Sequence, residues 1–355
     1  MQENTRLALL GRDPQRFGGL VNTPIFRGST ILSSSMAEWE QRKADRAADV
    51  PGATTYGRFG TPTTHALEDA IAQLEGGHRA QLFPSGLAAI TTVLTGLLKQ
   101  GDHVLVTDSA YGPTRGFLSR VLARFGVEMT LYDPRIGAGI AALLRPNTRV
   151  VYVESPGSET FEIQDIPAIA EVAHRHGAHV VMDNTWGTPL FYKPFEHGVD
   201  VSIQAATKYI VGHSDAMLGI ATCNRETWPL IKQAAQDLGQ TTGPDDAYLA
   251  LRGLRTIGVR LRQHHVAGLE VARWLEGHDA IEAVLHPALP GSPGHAHWKA
   301  LCGAAHGGQG AAAGLFSVMI DARYTQQQVD AFCDGLRLFK LGYSWGGPMS
   351  LVVPY

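Results

Sequence analysis

Lys208 stands in the string QAATKYIVGHSD, residues 204–215, at the end of the apolar stretch 200–206. No carboxylate adjoins it. A lysine placed there can lay its methylene stem along an apolar surface and carry its charge to water. It can also serve as a readily deprotonated amine for Schiff-base chemistry, because burial disfavours the ammonium form.

Three more positions stand at points where a strand gives way to a loop or a helix. Asp183, in VVMDNTW, is either a turn former or a buried carboxylate that holds a cation. Tyr111, in VTDSAYGP, is either a packed core ring or a face for a flat ligand. Ser85 and Gly86 open an apolar run as a helix cap, and free N–H groups at a helix start also suit an anion. The four chemical readings converge. An aldehyde for Lys208, a pyridine nitrogen for Asp183, a flat ring for Tyr111 and a phosphate for residues 85–86 together describe pyridoxal 5'-phosphate. A carboxylate that keeps the pyridine nitrogen protonated makes the ring an electron acceptor.

These groups need strands that end in one place. From residue 63 onward the pattern supplies them. Leu67, Ala70, Ile71 and Leu74 fall at helical spacing before Gly76 and Gly77, and a second helix runs from Ser85 and Gly86 to Gly101. Then HVLVT, VEMTLYD, TRVVYVES, AHVVMDN, VDVSIQAATK and AMLGIATCN read as strands, interleaved with helices at PTRGFLSRVLARFG and DIPAIAEVAHRHG. Apolar strands alternating with helices predict an α/β fold with a mainly parallel sheet covered on both faces, and ligands of such sheets bind beyond the carboxyl ends of the strands. Residues 1–55 show weak periodicity and read as an irregular arm. From about 245 a long helix or kinked pair leads into a smaller α+β region. The domains expected are an arm over 1–58 that contacts a neighbouring subunit, a large cofactor domain over 59–245 and a small domain over 246–355.

The chain has 355 residues, 44% hydrophobic and 18% charged, with a net charge of -3. That is a folding composition without the basic footprint that nucleic acid or an anionic membrane requires. Three cysteines, Cys223, Cys302 and Cys333, are too scattered for a metal pair or a disulfide framework, which fits a reducing compartment. The first 20 residues lack the apolar core of a secretory signal, and the longest mostly apolar run, 86–98, is too short to span a bilayer. A cytoplasmic location is expected. The histidines at 174–179, 264–265 and 295–297 have no carboxylate constellation for a metal, and GGQGAAAG at 307–314 reads as a flexible loop rather than a phosphate loop.

The strings TYGRFGTPT, LEGG, FPSGLAAI, ESPGSETFEIQDIPAI, DNTW, VSIQAATKYIVGHSDAMLG, RGLRTIGVRLRQHH, HPALPGSPGH and YSWGG resemble the pyridoxal-phosphate enzymes of cysteine and methionine metabolism over nearly the whole chain. The resemblance implies the transferase-like fold of that class, with a seven-stranded sheet sandwiched by helices. It implies that Lys208 carries the cofactor as a Schiff base and moves the proton at Cα, that Asp183 pairs with the pyridine nitrogen, and that Tyr111 stacks on the ring. Ser85, Gly86, Leu87 and Thr207 would hold the phosphate. Tyr56 and Arg58 would reach the phosphate of a neighbouring subunit in a homotetramer built from active dimers. Tyr56, Tyr111, Ser344 and Trp345 would touch the substrate, an amino-acid thioether. Within the family, Tyr343 stands where enzymes that work at Cγ usually carry glutamate, which favours β-elimination of L-cystathionine to homocysteine, pyruvate and ammonia, a step of methionine biosynthesis. Sister activities remain open: cysteine desulfhydrase, γ-lyase or γ-replacement. So does a chain that binds cofactor but is catalytically silent. The family pattern continues past Tyr355 with an arginine that grips the substrate carboxylate, so the expectation is an incomplete small domain. Pro348, Met349 and Ala205 are smaller departures.

Overall fold

The computed structural model describes residues 3–303 and 311–355. A seven-stranded sheet forms its centre: β1 (Arg79–Phe83), β2 (His103–Thr107), β3 (Glu128–Tyr132), β4 (Thr148–Glu154), β5 (His179–Asp183), β6 (Val201–Gln204) and β7 (Gly219–Cys223). Their order is β1-β7-β6-β5-β4-β2-β3. All neighbours from β6 to β3 pair parallel, and β7 runs antiparallel to both β6 and β1. This is the mainly parallel sheet that the alternation predicts. Its central strands are buried along both faces, so they read as continuous apolar runs.

The helices are α1 (Glu3–Leu9), α2 (Met36–Ala47), α3 (Pro62–Glu75), α4 (Gly86–Leu97), α5 (Gly112–Arg120), α6 (Ile166–His176), α7 (Thr188–Phe191), α8 (Trp228–Asp237), α9 (Pro244–Leu254) and α10 (Ile257–Glu276). Two cores lie on opposite sides of the sheet. One joins Leu67, Ile71 and Leu74 of α3 and Ile166 and Ile169 of α6 to Val151, Val180 and Met182. The other joins Ile90, Val93 and Leu94 of α4 to Val150, Val181 and Ile203. Successive residues of β5 thus point to different cores, as the pleat requires. α9 packs on α3. Beyond α10, a two-stranded sheet of β8 (Ile281–Leu285) with β9 (Ser317–Ile320) and a helix over Gln326–Gly335 form smaller α+β material.

Four local expectations change. The stretch 1–55 holds two helices: α2 is specified by the Ser35 cap and by charged pairs one turn apart, not by an apolar stripe. The sequence reading passed over β1, whose RAQLF is short and mixed in polarity. α4 stops at Leu97 rather than Gly101. β6 stops at Gln204, and residues 205–212 wind into successive turns, closed by Lys208 N–H on the Ala205 carbonyl, Val211 N–H on Ala206 and Gly212 N–H on Lys208. Lys208 therefore projects from a turn beyond the strand. The GGQGAAAG reading falls largely on 307–310, outside the described residues.

Candidate active site

β5 ends on Asp183, β4 ends on Glu154 directly beside it, and β6 delivers the turn that carries Lys208. Asp183 is 8% exposed, and its Oδ1 accepts the Thr185 N–H at 3.0 Å. Burial pushes its carboxyl up, against the pull of Thr185 and of the Lys208 ammonium. Burial likewise lowers the Lys208 amine below the usual lysine range, and Asp183 only partly offsets it. Among the described residues no carboxylate forms an ion pair with Lys208. Its Nζ donates to Ser344 Oγ at 3.1 Å and lies 5.6 Å from the centre of the Trp345 ring. Trp345 in turn meets Tyr209 edge-on at 5.2 Å, which fixes the indole over the amine.

Tyr111 caps α5, and its N–H donates to Glu154 Oε2 at 2.8 Å. Its ring is 43% exposed and open to a ligand. Burial, with the nearby carboxylates Asp183 and Glu154, raises its phenol above the ordinary value. At the start of α4, Ser85 accepts the Ala88 N–H at 3.1 Å. The N–H groups of Gly86 and Leu87 have no acceptor among the described residues. A Cβ at Gly86 would lie 2.7 Å from the Ala205 Cβ, so only glycine lets this helix end approach the turn before Lys208. Thr207 stands in that turn, its Oγ1 accepting the Leu218 N–H at 2.9 Å.

Lys208, Asp183, Tyr111, Ser344 and Trp345 therefore gather in one place, with the α4 start bearing on the turn that carries Lys208. Tyr56 and Arg58 do not join them within the chain. Both are exposed, and Arg58 Nη1 donates to the Gln236 carbonyl at 3.0 Å, at the end of α8. Sequence reasoning passed over Glu154. Its place at the carboxyl end of a parallel strand, in VVYVES, is the same signal that Asp183 gives. Among the described residues no group of histidine, cysteine and acidic side chains could hold a metal ion, and no helix is long and apolar enough to cross a membrane.

An unpaired amine, a buried carboxylate, an open aromatic face and free N–H groups at a glycine-opened helix start fit pyridoxal phosphate. Residues 4–354 match the family described as Cys/Met metabolism PLP-dependent enzyme. The chain belongs to that family. Its cofactor is pyridoxal phosphate, and its fold is that of the family's solved members. A protein of Rhizobium johnstonii is 50% identical over 99% of this chain and 85% of its own length. Cystathionine beta-lyase MetC of Escherichia coli is 42% identical over 99% of this chain and 87% of its own. The crystal structure of metB from Corynebacterium glutamicum superposes with a TM-score of 0.89 at 30% identity, covering 99% of this chain and 86% of that one.

Proposed function

We propose that the chain is a carbon–sulfur β-lyase that cleaves L-cystathionine to homocysteine, pyruvate and ammonia. The observation that carries this reading is Lys208, an amine held by Ser344 and Trp345 with its proton affinity lowered by burial. The name of the Escherichia coli relative, cystathionine beta-lyase MetC, supports this reading. When bound, the cofactor supplies an electron sink for the carbanion at Cα. Asp183 would hold a protonated ring nitrogen. Tyr111 would cover the ring, and the Gly86 and Leu87 N–H groups, with Ser85 and Thr207, would take the phosphate at the helix start. Lys208, its proton affinity lowered by burial, would remove the Cα proton and pass it to the departing sulfur. Ser344 aims the amine, and Trp345 excludes water from one side of it.

In this reading Tyr56 and Arg58 act across a subunit boundary in a homotetramer of active dimers. What supports it is their exposure on a segment whose own helix, α2, buries nothing. Tyr343 is 85% exposed beside Ser344, and no carboxylate replaces it there, which favours β- over γ-elimination.

The test is incubation of the purified protein with L-cystathionine. Pyruvate with free homocysteine is expected. Release of 2-oxobutyrate instead would make it a γ-lyase. Lys208→Ala should lower kcat by about 10³-fold or more, and turnover near that of the parent would overturn the assignment.

A further inference from the structure

On the side of the sheet away from Asp183, the last residue of α3 is a carboxylate with no solvent contact. Glu75 is 0% exposed. Its Oε1 accepts from Ser202 Oγ at 2.8 Å, Gln204 Nε2 at 2.8 Å and Asn184 Nδ2 at 3.5 Å. Its Oε2 has no hydrogen-bond partner, and neither do Asn184 Oδ1 and Thr222 Oγ1. The Thr222 hydroxyl lies beside the carboxyl without completing a hydrogen bond. No cation faces Glu75 among the described residues. The Cys223 thiol of β7 is near enough to feel its charge but belongs to the core on the other face of the sheet, and the Lys193–Glu3 pair lies beyond, with Lys193 on the Leu74 carbonyl.

An ionised carboxylate sealed in this way, with no cation, is heavily disfavoured. A carboxylic acid suits the place. It keeps one oxygen as acceptor for Ser202 and Gln204, and its O–H becomes a donor where the other unpaired oxygens lie. Burial drives the carboxyl in the same direction. The hydrogen-bond partners matter for the site above. Asn184 follows Asp183 directly, and its Nδ2 also reaches the Thr188 and Tyr192 carbonyls at 3.3 and 3.4 Å. Gln204 is the last residue of β6, next to the turn that presents Lys208.

We propose that Glu75 is a positioning residue: a neutral carboxylic acid that ties the ends of β5 and β6 together beneath the site and so sets Asp183 against Lys208. This rests on the assignment of Asp183 and Lys208 as cofactor ligands. Loss of the visible cofactor band in Lys208→Ala tests that assignment by itself, so the two can fail separately.

The experiment compares Glu75→Gln and Glu75→Ala as apo-proteins titrated with pyridoxal phosphate. Glutamine reproduces the acceptor and donor of a neutral acid, so its cofactor dissociation constant should stay within about threefold of the parent. Alanine strands the buried Ser202 and Gln204 donors and should weaken binding by about tenfold or more. Equal affinity in Glu75→Ala, or an equal loss in both variants, overturns the proposal. If Glu75→Ala does not fold, Glu75→Gln still decides through thermal unfolding of the apo-protein against pH. In the unfolded chain Glu75 ionises above about pH 4.3, whereas the folded chain keeps the proton. Stability of the parent therefore falls relative to Glu75→Gln as pH rises from about 5 to about 8, and below the unfolded value that trend disappears. A relative loss by Glu75→Gln as pH rises means an ionised Glu75 and overturns the proposal.

Discussion

α2 and α3 are near neighbours in sequence and in length, yet they are built for different surroundings. Each begins on a hydroxyl cap: Ser35 accepts the Glu38 N–H, and Thr61 and Thr64 form a reciprocal box. α3 buries eight residues, Leu67, Ile71 and Leu74 among them, and ends on a left-handed Gly76. α2 buries none. Its charged residues pair along its own surface, Arg42 with Glu38 at 2.7 Å and Lys43 with Glu40 at 3.0 Å. Among the described residues its last turn is tied down, where Arg46 donates to Gln236 Oε1 at 2.7 Å and lies over Phe59. Leu32, Met36 and Trp39 stay exposed. Caps and local pairs thus suffice to make a helix, whereas an apolar stripe decides whether the fold needs it. α3 serves the chain's own core, whereas α2 leaves an apolar surface that the described residues do not cover.

The sharpest way to break that contrast is to test whether the arm serves another chain's site. Lys208→Ala and Arg58→Ala should each lower lyase activity by orders of magnitude. If Arg58 acts on the neighbour's cofactor, unfolding and refolding the two variants together restores about a quarter of the parental activity, because mixed dimers regain one intact site. No recovery on mixing places Arg58 in its own chain's site and removes the arm's role between subunits.

A second pair of substitutions sharpens the energetic side. Leu67→Ala in α3 should cost about 2–5 kcal/mol in unfolding free energy, since it opens a cavity in a sealed core. Trp39→Ala in α2 should cost under about 0.5 kcal/mol when measured on single chains at high dilution. If a second copy covers this face, the cost grows with protein concentration, because assembly stabilises the parent by mass action. Similar costs for the two changes at high dilution would show that α2 is part of the core after all.

The same contrast explains what could be read from the sequence. The strands of the sheet are runs such as VVYV and HVVM, apolar because both faces are covered, and they are legible one by one. Asp183 is visible because it ends such a run, Tyr111 because it closely follows one, and the 85–86 helix start because it opens the apolar run of α4. Lys208 was visible too, but not its turn: β6 is only four residues long, and the winding of 205–212 comes from hydrogen bonds that no short pattern encodes. Strand order was not legible, because β1 lies beside β7, far away in the chain. The Glu75 network was hidden for a related reason. Its members lie on α3, just after β5, on β6 and on β7, and LEGG reads as an ordinary helix stop until the strands close over it. α2 escaped notice because its signals are charges and a cap, which look like a solvated loop.

The smallest effect expected concerns that cap. Ser35→Ala removes the acceptor of the Glu38 N–H, which it holds at 3.2 Å, and should cost α2 about 1 kcal/mol. Because the helix packs on so little, the loss should appear as local opening. Amide exchange over 38–47 should speed up about fivefold while global unfolding stays unchanged. The acid side has a sign of its own. The Ser34 hydroxyl and N–H, then Arg42, hold the Glu38 carboxyl down to about 2. A lowered carboxyl stabilises above its unfolded value and loses that support as pH falls through its folded one. Exchange in α2 should therefore quicken, after correction for intrinsic rates, from about pH 4 down to about pH 2, before α3 responds. If Ser35→Ala lowers the global transition as well, α2 opens together with the sheet and its independence from the core is disproved.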